Sequence, residues 1–167
     1  PSQLEKNDGP WYYEMHETGY NYRITDFQCA MGSSQLKKLD KFVVRRREIA
    51  RFYDKKFSHF DFIKIPESNS SVEHSYHLYP LLIDFGKMDI AKQEFFKKMK
   101  ESKINLQVHY IPIHLQPFYQ KNYGFKKGDF LVSENFYQQE LSLPIYPELS
   151  NAQISMVVNR LLEVISP

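Results

Sequence analysis

Helical and extended signals alternate along the 167 residues and predict an α/β (α+β) domain with a small sheet. Two further observations support that class. A long amphipathic helical stretch follows residue 25, and the composition, 42% hydrophobic and 25% charged, is that of a globular chain. A chain of this length forms one ordinary domain and buries roughly two-thirds of its unfolded surface. The strand order stays open at this level.

Taken in order, Pro1 to Gly9 is polar and aperiodic, and residues 10–23 are aromatic and irregular. Thr25-x-x-Gln28 is a capping-box pattern that starts a helix at Thr25. The helical signal runs to Phe57, with a break expected at Gly32-Ser33-Ser34. Leu36, Leu39, Val43, Ile49, Tyr53 and Phe57 form its apolar stripe. Residues 66–71 are a loop by composition. Residues 76–84 read as a strand, with Pro80 marking an edge or a bulge. Asp89 is expected to cap a helix to Ser102 that buries Ala91, Phe95 and Met99. Residues 105–108 are a short strand, and residues 109–128 an ordered loop long enough to be functional. Asp129 is expected to cap a helix to Gln139, followed by a strand over 141–143. Ser150-x-x-Gln153 starts the last helix, which buries Ile154, Val157, Val158, Leu161, Leu162 and Ile165.

A formal charge of +2 gives no argument for a nucleic-acid or membrane partner. Cys29 is the only cysteine, which excludes an intrachain disulfide and a cysteine zinc site. No apolar run approaches the ~18 residues of a spanning helix, so a soluble, cytoplasmic protein is expected. The polar start fits either a removed initiator Met or a chain that begins inside a larger protein.

Three places offer chemistry. Asn21, Tyr22 and Arg23 stand within a turn of the expected helix start, where free backbone N–H groups and the dipole favour an anion. Plain loop residues also occur there. His77, between Tyr76 and Tyr79, reads as a half-buried sheet residue; His74 lies on the opposite strand face, so the two do not chelate. His109, Tyr110 and His114, in a proline-stiffened loop, could line a pocket or simply pack the loop. Arg45-Arg46-Arg47 reads as a solvated helix face. No nucleophile–base arrangement, glycine-rich phosphate loop or paired-carboxylate site can be picked out.

The segments Trp11-Tyr12-Tyr13-Glu14, Gly19-Tyr20-Asn21-Tyr22-Arg23-Ile24-Thr25-Asp26-Phe27-Gln28 and Gln35-Leu36 resemble the DegT/DnrJ/EryC1/StrS sugar aminotransferases. The resemblance continues through residues 45–50, 76–80, 108–114 and 141–147. Within the family, it is greatest to the enzymes of pseudaminic acid biosynthesis, which aminate a UDP-linked 4-keto-6-deoxy amino sugar.

That resemblance implies the small C-terminal domain of a fold-type I aminotransferase, with a long linking helix and a small, mainly antiparallel sheet covered by helices. It implies an aromatic loop segment over 1–24, a linking helical segment over 25–58 and the small domain over 59–167. The large domain that binds pyridoxal 5'-phosphate (PLP) would be absent. Asn21, with Arg23, would reach the cofactor phosphate of the neighbouring subunit in a homodimer. Tyr20 and Tyr22 would border that site, and His77, His109, Tyr110 and His114 would lie toward the nucleotide sugar. The family's Schiff-base lysine, its pyridinium-pairing Asp and its ring-stacking aromatic have no counterpart here. The expected function is therefore part of a transaminase that moves an amino group from glutamate to a UDP-linked keto-sugar, inactive as this chain alone. The alternative is a non-catalytic paralogue that binds sugar nucleotides or dimerises.

Overall fold

A computed structural model describes residues 4, 5, 8–69 and 71–165. The polar opening of residues 1–9 and the 66–71 loop therefore lie partly outside the described residues. The chain divides into two compact units, Pro1–Lys37 and Lys38–Pro167.

In the first unit an irregular aromatic segment leads to helix α1 (Asp26–Leu36). The expected capping box is formed: Gln28 N–H donates to Thr25 Oγ1 at 3.3 Å, and Thr25 N–H donates to Gln28 Oε1 at 2.9 Å. The helix does not break at Gly32-Ser33-Ser34. One interior glycine costs only about 1 kcal/mol, and the ladder runs on until Lys37 N–H bonds Ser33. A turn at Lys37-Lys38 then separates α1 from α2 (Leu39–Phe57). No residue of α1 is buried, and Leu36 is exposed.

In the second unit α2 buries Ile49, Ala50, Tyr53 and Phe57, while Leu39 is exposed and Val43 half-buried. The expected stripe is thus correct only in its C-terminal half. Strands β1 (Ile63–Lys64), β2 (Tyr79–Ile83) and β3 (Glu140–Leu143) form an antiparallel sheet in the order β1-β2-β3. Pro80 stands in the central strand, opposite Ser142. Its missing N–H is tolerated because β1 ends at Lys64, opposite Leu82, before reaching it. Residues 105–108 do not form a strand; they contribute one bridge, Gln107 to Ser142.

Helix α3 (Lys92–Glu101) begins later than expected, with Ala91 as its N-cap and no side-chain cap from Asp89. Ala91 is therefore exposed, whereas Phe95 and Met99 are buried. The stretch 109–128 is more structured than a bare loop. It holds a 3-10 turn over Ile113–Leu115 and helix α4 (Pro117–Tyr123), which opens on a proline and closes on left-handed Gly124 (φ 73°). Helix α5 (Leu131–Gln139) is capped by Phe130 without a side-chain bond; the Asp129 carboxylate accepts from Lys126 N–H instead. Helix α6 (Asn151–Ile165) starts at the Ser150–Gln153 box and buries Ile154, Val157, Val158, Leu161 and Ile165, with Leu162 half-buried.

The core lies among α2, the sheet, α3 and α6. Its two tyrosines find partners for their hydroxyls: Tyr53 donates to Pro144 O at 2.8 Å and Tyr79 to Asp54 Oδ1 at 2.6 Å. Burial pushes both phenols well above their ordinary range, and burial also raises the Asp54 carboxyl against the lowering effect of the Tyr79 bond.

The arginine triplet is not a solvated face. Arg45 Nη2 donates to Leu149 O (2.7 Å) and Asn151 Oδ1 (2.8 Å). Arg46 Nη1 lies 3.0–3.2 Å from the carbonyls of Tyr76, His77 and Ile145. Arg47 Nε donates to His74 O at 2.8 Å. Three consecutive guanidinium groups thus tie α2 to the 74–77 loop, to the 145–149 loop and to the first residue of α6, work that their planar donor arrays suit.

Candidate functional site

Each unit carries its own set of candidate groups. In the first, Tyr20 and Tyr22 stack with ring centroids 5.1 Å apart and planes 12° apart. Both are exposed, as are Asn21 and Arg23. The side chains of Asn21 and Arg23 make no hydrogen bond among the described residues. The capping box satisfies the Gln28 N–H, leaving the first-turn amides of Asp26 and Phe27 without backbone partners among the described residues. These donors and one guanidinium can receive an anion. The Asp26 carboxylate in the same turn opposes one, and Arg23 offsets it.

In the second unit His77 is exposed and lies ahead of β2 rather than in it. Its carbonyl accepts from Arg46, which explains why the chain is held there without strand pairing. The expectation of a half-buried sheet histidine is therefore incorrect. His74 Nδ1 accepts from Tyr76 N–H at 3.0 Å. Among the described residues no group of three His, Cys, Asp or Glu could hold a metal ion.

His109 and Tyr110 meet edge to face, centroids 4.7 Å apart, with Tyr110 exposed and His109 half-buried. His109 is anchored by β3: its N–H donates to Glu140 Oε2 at 2.8 Å and its Nδ1 lies 2.8 Å from Ser142 Oγ. His114 is buried, with Nε2 2.9 Å from Glu134 Oε1. Gly128 N–H donates to the same oxygen at 2.8 Å. The His114 bond and then the Gly128 bond hold the Glu134 carboxyl below its ordinary value of 4.5. His114 also lines a cavity of about 350 Å³ with Ile113, Tyr119, Phe125, Phe130 and Ser133. His77 shares no ring contact or hydrogen bond with His109, Tyr110 or His114 among the described residues.

Sequence reasoning missed Glu134, Glu140, Ser142 and Lys92. The last is half-buried: its Nζ donates to Tyr137 O at 2.6 Å and sits 5.1 Å from the Tyr137 ring centroid. Desolvation lowers its pKa, against the attraction of Glu140. It borders a cavity of about 610 Å³ with Gln93, Phe96, Val108, Tyr137 and Gln138. One signal was present in the sequence: Glu140 and Ser142, two apart in a strand, share a face.

No helix among the described residues is long and apolar enough to cross a membrane. Residues 3–162 match the DegT/DnrJ/EryC1/StrS aminotransferase family. The chain is 40% identical over 158 residues to a UDP-4-amino-4,6-dideoxy-N-acetyl-beta-L-altrosamine transaminase of Campylobacter jejuni, covering 93% of this chain and 40% of that protein. It is 36% identical to the spore coat polysaccharide biosynthesis protein SpsC of Bacillus subtilis, covering 95% and 41%. Among solved structures it is similar to Helicobacter pylori PseC, an aminotransferase involved in pseudoaminic acid biosynthesis, with a TM-score of 0.83 at 28% identity, covering 97% and 42%. Spr1654 of Streptococcus pneumoniae, in its PLP-form, matches with a TM-score of 0.82 at 26% identity, covering 92% and 39%. The chain thus spans about two-fifths of the length of the relatives it matches, which accords with the small C-terminal domain of a PLP enzyme. By its sequence and its fold, the chain belongs to the DegT/DnrJ/EryC1/StrS aminotransferase family.

Proposed function

We propose that this chain is the small domain of a PLP-dependent aminotransferase that moves an amino group, with glutamate as donor, to a UDP-linked 4-keto-6-deoxy sugar. The observation that carries this reading is the family match over residues 3–162, which includes an exposed Asn21 and Arg23 directly ahead of a capped helix start. The substrate class follows the similarity to the Campylobacter jejuni transaminase. In the working homodimer Asn21 donates its amide to the cofactor phosphate held by the other subunit, and Arg23 adds charge beside it. Tyr20 and Tyr22 border that site; His77, His109, Tyr110 and His114 belong to the nucleotide-sugar side. We assign residues 1–24 to the cofactor-contacting segment, 25–58 to the link and 59–167 to the small domain proper.

The groups present fit one part of the cofactor. Unpaired amide, guanidinium and first-turn N–H donors suit a phosphate. The aldehyde end needs a lysine held beside it, and the half-buried Lys92 is engaged by the Tyr137 carbonyl. PLP, when bound, supplies the carbonyl carbon that carries the amino group between donor and acceptor. What this chain contributes is binding and orientation, and by itself it is inactive.

The test is a graft in which residues 3–162 replace the matching part of the Campylobacter jejuni transaminase. The dimeric graft should retain PLP through gel filtration, and its Asn21→Ala form should lose it. Equal retention by the two forms, with Arg23→Ala also silent, would remove the phosphate contact from this reading.

A further inference from the structure

We propose that Glu140 and Ser142 hold His109 in the tautomer with its proton on Nδ1, so that Nε2 meets the ligand as a hydrogen-bond acceptor. Gln107 bridges Ser142, so two residues on in the antiparallel sense His109 comes opposite Glu140. There the His109 N–H is taken by the Glu140 side chain, at Oε2. The other carboxylate oxygen, Oε1, lies 2.6 Å from Ser142 Oγ, and that same Oγ lies 2.8 Å from His109 Nδ1.

Ser142 has one hydroxyl proton for two neighbours. The Ser142 hydroxyl donates to Glu140 Oε1, because a carboxylate oxygen accepts. The contact between Oγ and Nδ1 then needs a proton from the ring, and Nδ1 must carry it. In the neutral ring this leaves the lone pair on Nε2, which has no hydrogen-bond partner among the described residues. The Glu140 and Ser142 side chains are buried, so water does not compete for these bonds. The positive charge of Lys92 is attracted to the same carboxylate.

The consequence deepens the functional reading and rests on it for the ligand. A group bound at Nε2 of the neutral ring must donate, as a sugar or ribose hydroxyl or an amide N–H does; a carbonyl or phosphate oxygen would not fit. Glu140 and Ser142 are positioning residues that act through His109.

Long-range nitrogen–proton NMR of the histidine rings of the 167-residue chain, at a pH where they are neutral, reads the tautomer without any ligand. His109, identified by loss of its signals in His109→Gln, should carry its proton on Nδ1, the minority form of free imidazole. Glu140→Gln should reverse this: an amide can donate to Ser142 Oγ, which then donates to Nδ1 and moves the ring proton to Nε2. The tautomer ratio should change on the order of ten-fold, the worth of one buried hydrogen bond. Ser142→Ala should shift it the same way. A wild-type ring protonated on Nε2 overturns the proposal, as does a folded Glu140→Gln chain whose tautomer is unchanged. If Glu140→Gln fails to fold, the wild-type spectrum still decides. A ring protonated on Nδ1, alongside a PLP-loaded dimeric graft that binds no UDP-sugar, would sink the functional reading and leave the tautomer assignment standing.

Discussion

Asn21 and Arg23 are exposed and spend no hydrogen bond on the chain itself, so substitutions there should act on binding and leave the fold alone. In the graft, Asn21→Ala removes one hydrogen bond to a charged group, worth roughly 1.5–3 kcal/mol, and should raise the PLP dissociation constant about ten- to a hundred-fold. Equilibrium dialysis measures it, and an unchanged constant would count against the contact. Glu134 makes a different prediction. Its folded pKa lies below 4.5, so its contribution is complete above that value and is lost as pH falls through the folded pKa. Stability measured by urea midpoint should drop below pH 4.5 in the wild type and drop less in Glu134→Gln; parallel curves would contradict it. Asp54, raised by burial, works in the opposite sense, losing stability as pH rises above 3.8, so the comparison must be between the two proteins rather than on one curve. At this scale the sequence was legible where neighbours in the chain act together, as in the Asn21–Arg23 motif and the Thr25–Gln28 box. It was not legible where the partner is distant. Glu134 lies 20 residues from His114, and Ser142 lies 33 from His109; nothing local pairs them.

Among the elements, α2 shows how tertiary contacts override a local reading. A run of three arginines on a helix usually faces water, yet the carbonyls that these take come from loops 27 to 104 residues away. Arg46→Ala leaves the carbonyls of Tyr76, His77 and Ile145 without their donor and should cost roughly 2 kcal/mol, read as a lower urea midpoint. Arg46→Lys should recover only part of it, because an ammonium on a flexible stem does not reproduce the planar fork. Full rescue by lysine would mean that charge, not geometry, matters. The helix ends follow the same logic. Both capping boxes were readable because their reciprocal bonds span three residues. Asp89 and Asp129 carried the right chemistry for a cap, but the cap positions fall two residues later in α3, at Ala91, and one residue later in α5, at Phe130. The 109–128 stretch was read as a loop from its prolines and glycines; Pro117 and Gly124 in fact delimit a short helix.

For the molecule as a whole, the apolar residues that remain outside matter most. Phe27 and Met31 in the first unit, and Leu131 and Val132 in the second, are more than half exposed. That much uncovered side-chain surface favours association, and the homodimer of the functional reading supplies it. Light scattering should therefore find the 167-residue chain as a dimer or larger, and a monomer at high concentration would contradict this. The fold class was readable because the core helices α2, α3 and α6 keep a clear apolar period, whereas the sheet order depended on pairings between β1, β2 and β3 far apart in the chain. The central claim is that this chain completes a sugar aminotransferase without carrying its reacting lysine. The most direct measurement follows nitrogen-15 from labelled glutamate into a UDP-linked 4-keto-6-deoxy sugar by mass spectrometry. The graft should transfer the label while the chain alone transfers none; label transfer by the chain alone, or none by a PLP-loaded dimeric graft, would contradict the account.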